Sequence, residues 1–489
     1  MREIRLFIDG EFRDAADGAT YESINPANRE AIATVAEGGA EDVRLACEAA
    51  QRAYEGEWGA MTSADRSVVL ARAADNIEAR AEEFAQLEML DVGKPITEAL
   101  AIDVPAAVNF LRWYASVTDA AVGETIAIQS PEQVDFSLWD PFGVVGGIAP
   151  WNFPLFLGML KMGPALACGN SIVFKPASIT PMSTSIVCEC FADAGLPAGA
   201  LNVITGPGRV VGEALVTDPH VQMVSFTGST AVGRRIIELS ARNITNVSME
   251  LGGKSPNIIF EDADFDQAVA GAVFGLLLNN GQNCIAGTRL LVQRSIYDEI
   301  CAAAAEKLDA LVVGDPAKPE TQLGAIVSEE QFEKVTGYIR WGEEAGATIA
   351  AGGTVPDDPE LAGGWFVRPT LLTGATNAMS VSCEEVFGPV LVAIPFEDEA
   401  EAVAIANDTP YGLGSGVFTT DADRARRMVR ALQSGTVYVN TYNQVNPQSP
   451  FPGWKQSGTG VERGMRGLFT YMRYKNVIQD ISGEPIGWF

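Results

Sequence analysis

The sequence predicts an α/β protein in which parallel β-sheets are covered by helices. From Val144 onward, short apolar, β-branched runs alternate with helical patterns, as is typical of sheets that bind nucleotides at the carboxyl ends of their strands. The chain has 489 residues, which is too long for one core and predicts two or three domains. A composition of 47% hydrophobic and 20% charged residues indicates a globular chain rather than a disordered one.

The residues before Val144 predict an opening hairpin followed by helices. The run from Ala40 to Tyr54 is amphipathic, and Ser63 is predicted to cap a long helix that reaches about Asp91. Another helix is predicted over residues 102–122. The alternating segment 135–139 then predicts a strand that leaves the main body of the protein.

Two sets of strands follow, one on each side of Cys284. The first set is predicted to form one parallel sheet from Val144–Ala149, Ser171–Lys175, Leu201–Thr205, Val221–Thr227 and Val247–Leu251. The second set has predicted strands near Leu290, Phe366, Val390, Val417 and Val437. The alternating stretch 471–477 is predicted to pair with the 135–139 strand or with another subunit.

Charge and composition exclude several classes of partner. The formal net charge is −29, with 63 acidic and 34 basic residues, so we do not expect a nucleic acid to bind. The longest apolar stretch, residues 144–160, is interrupted by two prolines and an asparagine, which argues against a membrane span. The seven cysteines are too dispersed for a disulfide framework and no signal-peptide pattern is present, so we expect a reduced, cytoplasmic protein.

The single histidine, His220, lies in a turn before a predicted strand. Ser-His-Asp and Cys-His mechanisms require an imidazole beside the nucleophile, and zinc sites usually require histidine or clustered cysteine. We therefore expect neither a metal site nor histidine-based catalysis.

Cys284 lies in the glycine-flanked segment Gly281–Arg289, between a predicted helix and a predicted strand. A tight connection of this kind can hold a thiol both exposed and rigidly oriented. A lone cysteine is more often a small hydrophobic residue that fills a gap, so the segment must be interpreted together with others.

Four further segments place polar or glycine residues near the first predicted sheet. Lys175 ends a strand and could reach a ribose or a phosphate, although most such lysines are simply solvated. Glu250, between two apolar residues, fits either a paired structural acid or a general base with a shifted pKa. Asn152, in a loop between two prolines, could present its side-chain amide to a ligand or only form hydrogen bonds with the backbone of that loop. Phe226–Gly233 runs from a strand into a helix that could bind a pyrophosphate, but its GxxxxG spacing is a weak signal alone.

Together these segments resemble the aldehyde dehydrogenase superfamily over essentially the whole chain. The motifs, in the order and spacing of that family, are Pro150–Pro154, Lys175-Pro176, Phe226–Gly233, Glu250–Gly253, Gly281–Arg289, Glu384–Pro389 and Pro450–Gly458. The resemblance implies two parallel-sheet α/β domains and a small bridging β-sheet that assembles a homodimer or homotetramer. On this basis the predicted boundaries are 1–122 and 142–252 for the dinucleotide-binding domain, 253–455 for the catalytic domain, and 123–141 and 468–489 for the bridging segments.

The resemblance also implies a hydrolytic, NAD(P)-dependent oxidation of an aldehyde to a carboxylic acid. Cys284 is expected to be the nucleophile, Asn152 to stabilise the oxyanion with the Cys284 N–H, and Glu250 to activate the hydrolytic water. The residues expected to hold the cofactor are Trp151, Lys175, Ser178, Gly228, Ser229, Gly233, Glu385 and Phe387.

The chain departs from the family pattern at several positions. Many NAD-preferring members have glutamate where this chain has Ser178, and serine removes its repulsion of a 2′-phosphate, so we expect NADP to be used at least comparably to NAD. The alternative is that Ser178 only caps the helix starting near Pro181 and that NAD remains preferred. Leu160 stands where relatives with an aromatic tunnel often have tryptophan, while Pro452 and Trp454 replace the usual glycine and smaller aromatic.

The predicted substrate tunnel is mostly apolar, which disfavours an aromatic cage for a quaternary ammonium group. Its predicted lining positions are near Leu157, Leu160, Ile285 and Val445. No arginine is clearly placed in the sequence to bind a substrate carboxylate, and the sequence does not indicate which aldehyde is oxidised.

Two other functions compete with hydrolytic oxidation. A CoA-acylating dehydrogenase passes the acyl group to CoA, but those relatives generally lack the base at the Glu250 position. A structural, non-catalytic member of the fold is disfavoured because Cys284, Glu250 and Asn152 are all present.

Overall fold

The computed structural model describes residues 1–485, and it contains two seven-stranded, mostly parallel sheets and a smaller antiparallel one. The predicted α/β fold class is confirmed. Within the described residues, no helix is both long and apolar enough to cross a membrane.

The first sheet carries five parallel strands with an antiparallel hairpin at one edge. Its strands are, in order, Asn246–Glu250, Val221–Thr227, Val144–Ile148, Ser171–Lys175, Leu201–Val203, Leu6–Ile8 and Glu11–Arg13. The opening hairpin predicted from the sequence is therefore this edge. Every residue of Val144–Ile148 and Ser171–Lys175 is buried, which explains why these strands are continuous apolar runs rather than alternating ones.

The second sheet is parallel except for one edge strand. Its order is Thr348–Ala351, Thr370–Thr373, Val390–Phe396, Arg289–Gln293, Pro256–Ile259, Gly414–Phe418 and Thr436–Val439. The strand predicted at Phe366 is wrong, because the next strand begins only at Thr370. The Trp365 N–H donates instead to the Pro26 carbonyl at 3.0 Å, and Phe366 packs against Leu361.

Three strands form the third sheet. Met472–Asp480 pairs antiparallel with Gln133–Pro141, as predicted for the 471–477 stretch, and Thr125–Ile126 completes the sheet. Residues 486–489 of the predicted bridging segment 468–489 lie outside the described residues. Two small sheets lie elsewhere, one of Arg2–Ile4, Ala31–Ala36 and Thr20–Ile24, the other of Phe451–Pro452 and Val461–Glu462.

The helices cover both faces of the two large sheets. The α-helices are Ala40–Glu55, Glu57–Ala60, Ser63–Ala79, Ala81–Val92, Ile96–Glu98, Val104–Ser116, Pro154–Ala167, Met182–Asp193, Glu213–Thr217, Thr230–Ser240, Phe265–Leu277, Tyr297–Asp309, Glu329–Glu344, Ser380–Cys383, Glu399–Asn407, Ala422–Ala431 and Gly464–Phe469. The π-helical turns are Ala99–Asp103 and Gly208–Gly212, and the 3₁₀ turns are Leu278–Gly281, Arg294–Ile296, Pro359–Leu361 and Lys455–Ser457.

Two helix predictions need correction. The cap of the third helix is Thr62 rather than Ser63, since the Thr62 Oγ1 accepts the Asp65 N–H at 3.2 Å. The long helix predicted to reach Asp91 is divided at Arg80, whose ψ of 24° lies outside the helical range. The helix predicted over 102–122 begins at Val104 and ends at Ser116.

Candidate active site

Cys284 follows a turn in which three consecutive residues have left-handed backbones. Asn279, Asn280 and Gly281 have φ angles of 55°, 57° and 73°. This conformation is costly for residues other than glycine and persists where the surroundings fix it. A Cβ on Gly281 would lie 2.5 Å from the Gly388 carbonyl group, so the turn packs directly against the segment that contains Glu385.

The side chains of the turn fix its position against Asn152. The Asn279 Nδ2 donates to the Asn152 carbonyl oxygen at 2.6 Å, and the Asn152 Nδ2 donates to the Gln282 carbonyl oxygen at 2.9 Å. The Asn279 N–H in turn donates to Glu98 Oε1 at 2.8 Å. Because an amide nitrogen carries two hydrogens, Asn152 keeps one N–H for another acceptor.

Two cavities meet at Cys284, Asn152 and Leu157, which line both of them. The first cavity lies between the two large sheets and is otherwise lined by Pro150, Trp151, Thr227, Gly228, Ser229, Leu251, Gly252, Gln331, Lys334, Glu385 and Phe387. The second is otherwise lined by Ile102, Asp103, Ala106, Phe153, Phe156, Leu278, Asn283, Ile285, Asn443, Val445, Phe451 and Arg463. A thiol at such a junction is accessible from both sides.

Glu385 and Phe387 are held at one wall of the first cavity. The Glu385 Oε1 accepts the Gly253 N–H at 2.9 Å, and a Cβ on Gly252 would lie 2.5 Å from Glu385 Oε2. The Phe387 backbone is left-handed, with φ of 62°, and its ring stands perpendicular to the Trp151 ring at 5.1 Å. Burial raises the pKa of the Glu385 carboxyl.

The glycine-containing segment Phe226–Gly233 lies at the opposite wall of the first cavity. Gly228 and Ser229 line the first cavity, and the Ser229 Oγ caps the helix Thr230–Ser240 by accepting the Val232 N–H at 3.3 Å. Gly233 lies one turn into that helix, where a Cβ would lie 2.5 Å from the Leu251 side chain. Its lack of a side chain therefore allows close packing rather than direct contact with a ligand.

Lys175 and Ser178 are placed near each other but outside the lining of both cavities. The Lys175 Nζ is buried and donates to the Pro176 carbonyl at 2.9 Å, and burial alone lowers the pKa of this lysine to about 8. The Ser178 Oγ donates to the Gly206 carbonyl at 2.7 Å. Ser178 is therefore not the helix cap, since the helix that begins at Met182 has no side-chain cap bond.

Glu250 ends its strand with a buried carboxylate. Its exposure is 2%, and neither carboxylate oxygen has a hydrogen-bond partner among residues 1–485. Burial raises the pKa of Glu250, Glu462 raises it further, and Lys161 and Arg463 oppose this rise. Glu250 is not one of the residues that line either cavity.

Burial also raises the pKa of the Cys284 thiol, to about 12. The Glu385, Glu250 and Glu462 carboxylates act in the same direction, whereas Arg463 lowers this pKa. Within the described part of the chain, no group of three or more His, Cys, Asp or Glu side chains could hold a metal ion, and all seven cysteines are free thiols.

Sequence reasoning missed a buried ionic cluster beside Glu250. The Lys161 Nζ is paired with Glu462 and donates to the Thr227 Oγ1 at 2.6 Å. The adjacent Arg463 is 7% exposed and lines the second cavity. The available signal was Lys161, a lone charge in the otherwise apolar helix Pro154–Ala167.

The second cavity contains three of the four tunnel positions predicted from the sequence. Leu157, Ile285 and Val445 line it, but Leu160 does not. Leu160 is 1% exposed and packs within the main hydrophobic cluster of the first sheet, so that prediction is wrong. Trp454 is 48% exposed, Pro452 pairs with Val461, and neither residue lines a cavity that Cys284 lines.

Comparisons with known proteins agree over nearly the whole chain. The sequence profile of the Aldehyde dehydrogenase family matches residues 12–477. An aldehyde dehydrogenase of Aspergillus niger is 44% identical over 473 residues, covering 96% of this chain and 94% of that protein. A 2-hydroxymuconic semialdehyde dehydrogenase of Pseudomonas sp. (strain CF600) is 40% identical over 482 residues, covering 98% of this chain and 99% of that protein. The NAD⁺ complex of an aldehyde dehydrogenase from Bacillus cereus superimposes with a TM-score of 0.96 at 43% identity, covering 98% of this chain and 97% of that one.

Proposed function

Since the chain belongs to the aldehyde dehydrogenase family and is an NAD(P)-dependent aldehyde dehydrogenase, we propose that Cys284, Asn152 and Glu250 carry out its chemistry. The observation that supports this most strongly is the meeting of two cavities at Cys284 and Asn152. One cavity would hold the cofactor and the other the aldehyde, so that both reach the same thiol.

Cys284 would first lose its thiol proton to solvent, and the resulting thiolate would then attack the aldehyde carbonyl carbon. A C–S bond forms and the carbonyl oxygen becomes the oxyanion of a thiohemiacetal. The remaining N–H of the Asn152 amide and the backbone N–H of Cys284 would donate to that oxygen. Asn152 needs no reorganisation for this role, because its other N–H is already bonded to Gln282.

The residues of the first cavity fit NAD(P). Gly252 and Gly253 leave no room for side chains, since a Cβ on Gly253 would lie 2.2 Å from the Cys284 carbonyl oxygen. The free Glu385 carboxylate oxygen would accept from a ribose hydroxyl, and the helix N-terminus at Ser229 would face the pyrophosphate. Trp151 and Phe387 would position the nicotinamide ring. When bound, the cofactor supplies the hydride acceptor, and Cys284 is left as a thioester.

Glu250 would then activate the water that hydrolyses the thioester. Its buried, unpaired carboxylate and raised pKa suit a general base, because a carboxylate with a raised pKa accepts a proton from water more readily. Since Glu250 does not line either cavity, its side chain would have to rotate towards Cys284 for this step.

Measuring NAD(P)H formation with simple aldehydes, with and without CoA, tests this function directly. The expected result is turnover without CoA in the wild type and none in Cys284→Ala, which should still fold and bind cofactor. Substantial residual activity in Cys284→Ala would contradict the assignment of the nucleophile, and an absolute requirement for CoA would indicate the acylating alternative.

We further propose that NADP is accepted at least comparably to NAD. Ser178 carries no charge, and burial is the sole cause of the Lys175 pKa shift, so no carboxylate acts on this lysine. A 2′-phosphate would therefore meet a cation and a hydroxyl rather than an anion.

The domain division, oligomeric state and location of the protein are also proposals. We assign cofactor binding to residues 1–122 and 142–252 and catalysis to 253–455, each built around one large sheet. The third sheet would join subunits into a homodimer or homotetramer, since its edge strand Met472–Asp480 is mostly exposed. The free thiols suit a reducing compartment, which supports a cytoplasmic location.

A further inference from the structure

We propose that Arg463 anchors an anionic group at the far end of the substrate, so that the preferred substrate is an aldehyde that also carries a carboxylate. This inference deepens the proposed function and rests on it. No sequence pattern indicated this role, because none places Arg463 in the cavity that Cys284 lines.

Arg463 is a buried cation that forms no direct ion pair with a carboxylate among residues 1–485, although the Glu250 carboxylate lies within electrostatic range. Its Nε has no hydrogen-bond partner among residues 1–485, and the neighbouring carboxylate of Glu462 is paired with Lys161 instead. Asp103 also lines the second cavity, but it is paired with the buried Lys94. Because arginine stays protonated in proteins, a buried guanidinium that lacks an anion is costly unless a ligand supplies one.

Aromatic rings hold the guanidinium at the cavity wall. Its central carbon lies 4.3 Å from the ring centroid of Phe451, 5.7 Å from that of Phe110 and 5.8 Å from that of Phe156. Phe451 and Phe156 line the same cavity as Cys284. Stacking on ring faces leaves the edge of the guanidinium plane, with its N–H donors, for a carboxylate.

The backbone at Arg463 is strained. Arg463 has a φ of 60° and Gly464 one of 56°, and the Gly464 N–H donates to the Pro447 carbonyl at 2.8 Å. A left-handed arginine is uncommon, and such strain persists where the surroundings or a function require it. The same arrangement disfavours a cationic substrate, because the three rings that could cage a quaternary ammonium group already hold a cation.

The test compares pairs of aldehydes that differ only in a terminal carboxylate. Succinic semialdehyde is paired with butanal and adipic semialdehyde with hexanal, and kcat/KM is measured for each in the wild type, Arg463→Leu and Arg463→Lys. Betaine aldehyde serves as the cationic probe. Arg466→Leu is the control, since Arg466 is an exposed arginine in the adjacent helix.

The ratio of kcat/KM within a pair reports only the contribution of the substrate carboxylate. Any effect of Arg463 on Cys284 or Glu250 changes kcat/KM for both aldehydes equally and cancels in the ratio. We expect the wild type and Arg466→Leu to favour the carboxylated member, and Arg463→Leu to lower the ratio by about 10- to 100-fold. Arg463→Lys should retain part of the preference, and betaine aldehyde should be the poorest substrate.

A wild type that prefers the uncharged member of both pairs overturns the proposal, even if Arg463→Leu does not fold. If Arg463→Leu leaves the ratio unchanged, the proposal is also overturned, and the role of Arg463 would then be to lower the pKa of Cys284. If the wild type oxidises neither member of a pair, the proposed function itself fails, which is a distinguishable result.

Discussion

The side-chain amide of Asn152 donates a 2.9 Å hydrogen bond to the backbone carbonyl of Gln282, two residues before Cys284. This bond connects the loop after strand Val144–Ile148 of the first sheet to the turn before strand Arg289–Gln293 of the second. The amide proposed to bind the oxyanion and the proposed nucleophile are therefore positioned by the same contact, before any substrate is bound.

Asn152→Ala should lower kcat by about 10²–10³-fold, because it removes one donor to the oxyanion. Steady-state kinetics with a good aldehyde substrate measures this loss. Cofactor affinity should change little, because Asn152 lines the cofactor cavity only where that cavity meets the substrate cavity. A loss of less than tenfold would show that the backbone N–H of Cys284 suffices. Asn279→Ala should give a smaller loss, since the Asn279 side chain donates to the backbone carbonyls of Asn152 and Gln282 rather than to the substrate.

Glu250→Gln should leave formation of the thioester largely intact and slow its hydrolysis, because an amide cannot take a proton from water. Rapid mixing should reveal a burst of NAD(P)H followed by a slow steady state. If the burst itself is lost, Glu250 acts on the thiol before attack or is required for the fold.

Glu462→Gln should move the acidic limb of the deacylation pH profile to lower pH. The Glu462 carboxylate raises the pKa of Glu250, so removing that charge lowers this pKa and keeps the base ionised in more acidic solution. Arg463→Leu should move the same limb in the opposite direction, since Arg463 lowers the pKa of Glu250. Opposite shifts in two folded variants distinguish electrostatics from general damage, and shifts of the same sign would refute the assignment.

Ile478→Glu should dissociate the oligomer if the third sheet joins subunits. Ile478 is 61% exposed on the edge strand Met472–Asp480, and a charge there would be desolvated in an interface. Light scattering of the wild type and the variant measures the change. Ile244→Glu is the control, because Ile244 is 89% exposed in the loop before strand Asn246–Glu250, which belongs to the first sheet. An active wild-type monomer would remove the basis for the prediction.

The sequence predicted the fold more completely than the site. Alternating strands and helices follow from local patterns, and Ser171–Lys175 and Val221–Thr227 have the bounds predicted for them. Leu160 was misplaced because every residue of the helix Pro154–Ala167 is buried, so its pattern does not indicate which face meets the cavity. Arg463 was missed because contacts between distant parts of the chain place it in the site. It directly follows Val461–Glu462, which pairs with Phe451–Pro452, and no local pattern predicts its contact with Phe110.

We expect the preference between NAD and NADP to depend most directly on Ser178. A glutamate there would accept hydrogen bonds from the adenosine ribose and repel a 2′-phosphate, at a cost on the order of 1–4 kcal/mol. Ser178→Glu should therefore depress kcat/KM for NADP selectively and leave the value for NAD equal or higher. Ile179→Glu adds the same charge at the next residue, where the side chain is 40% exposed, and should change both values little. The claim fails if the wild type already excludes NADP, or if the two variants have the same effect, because the charge would then act at long range rather than at the ribose.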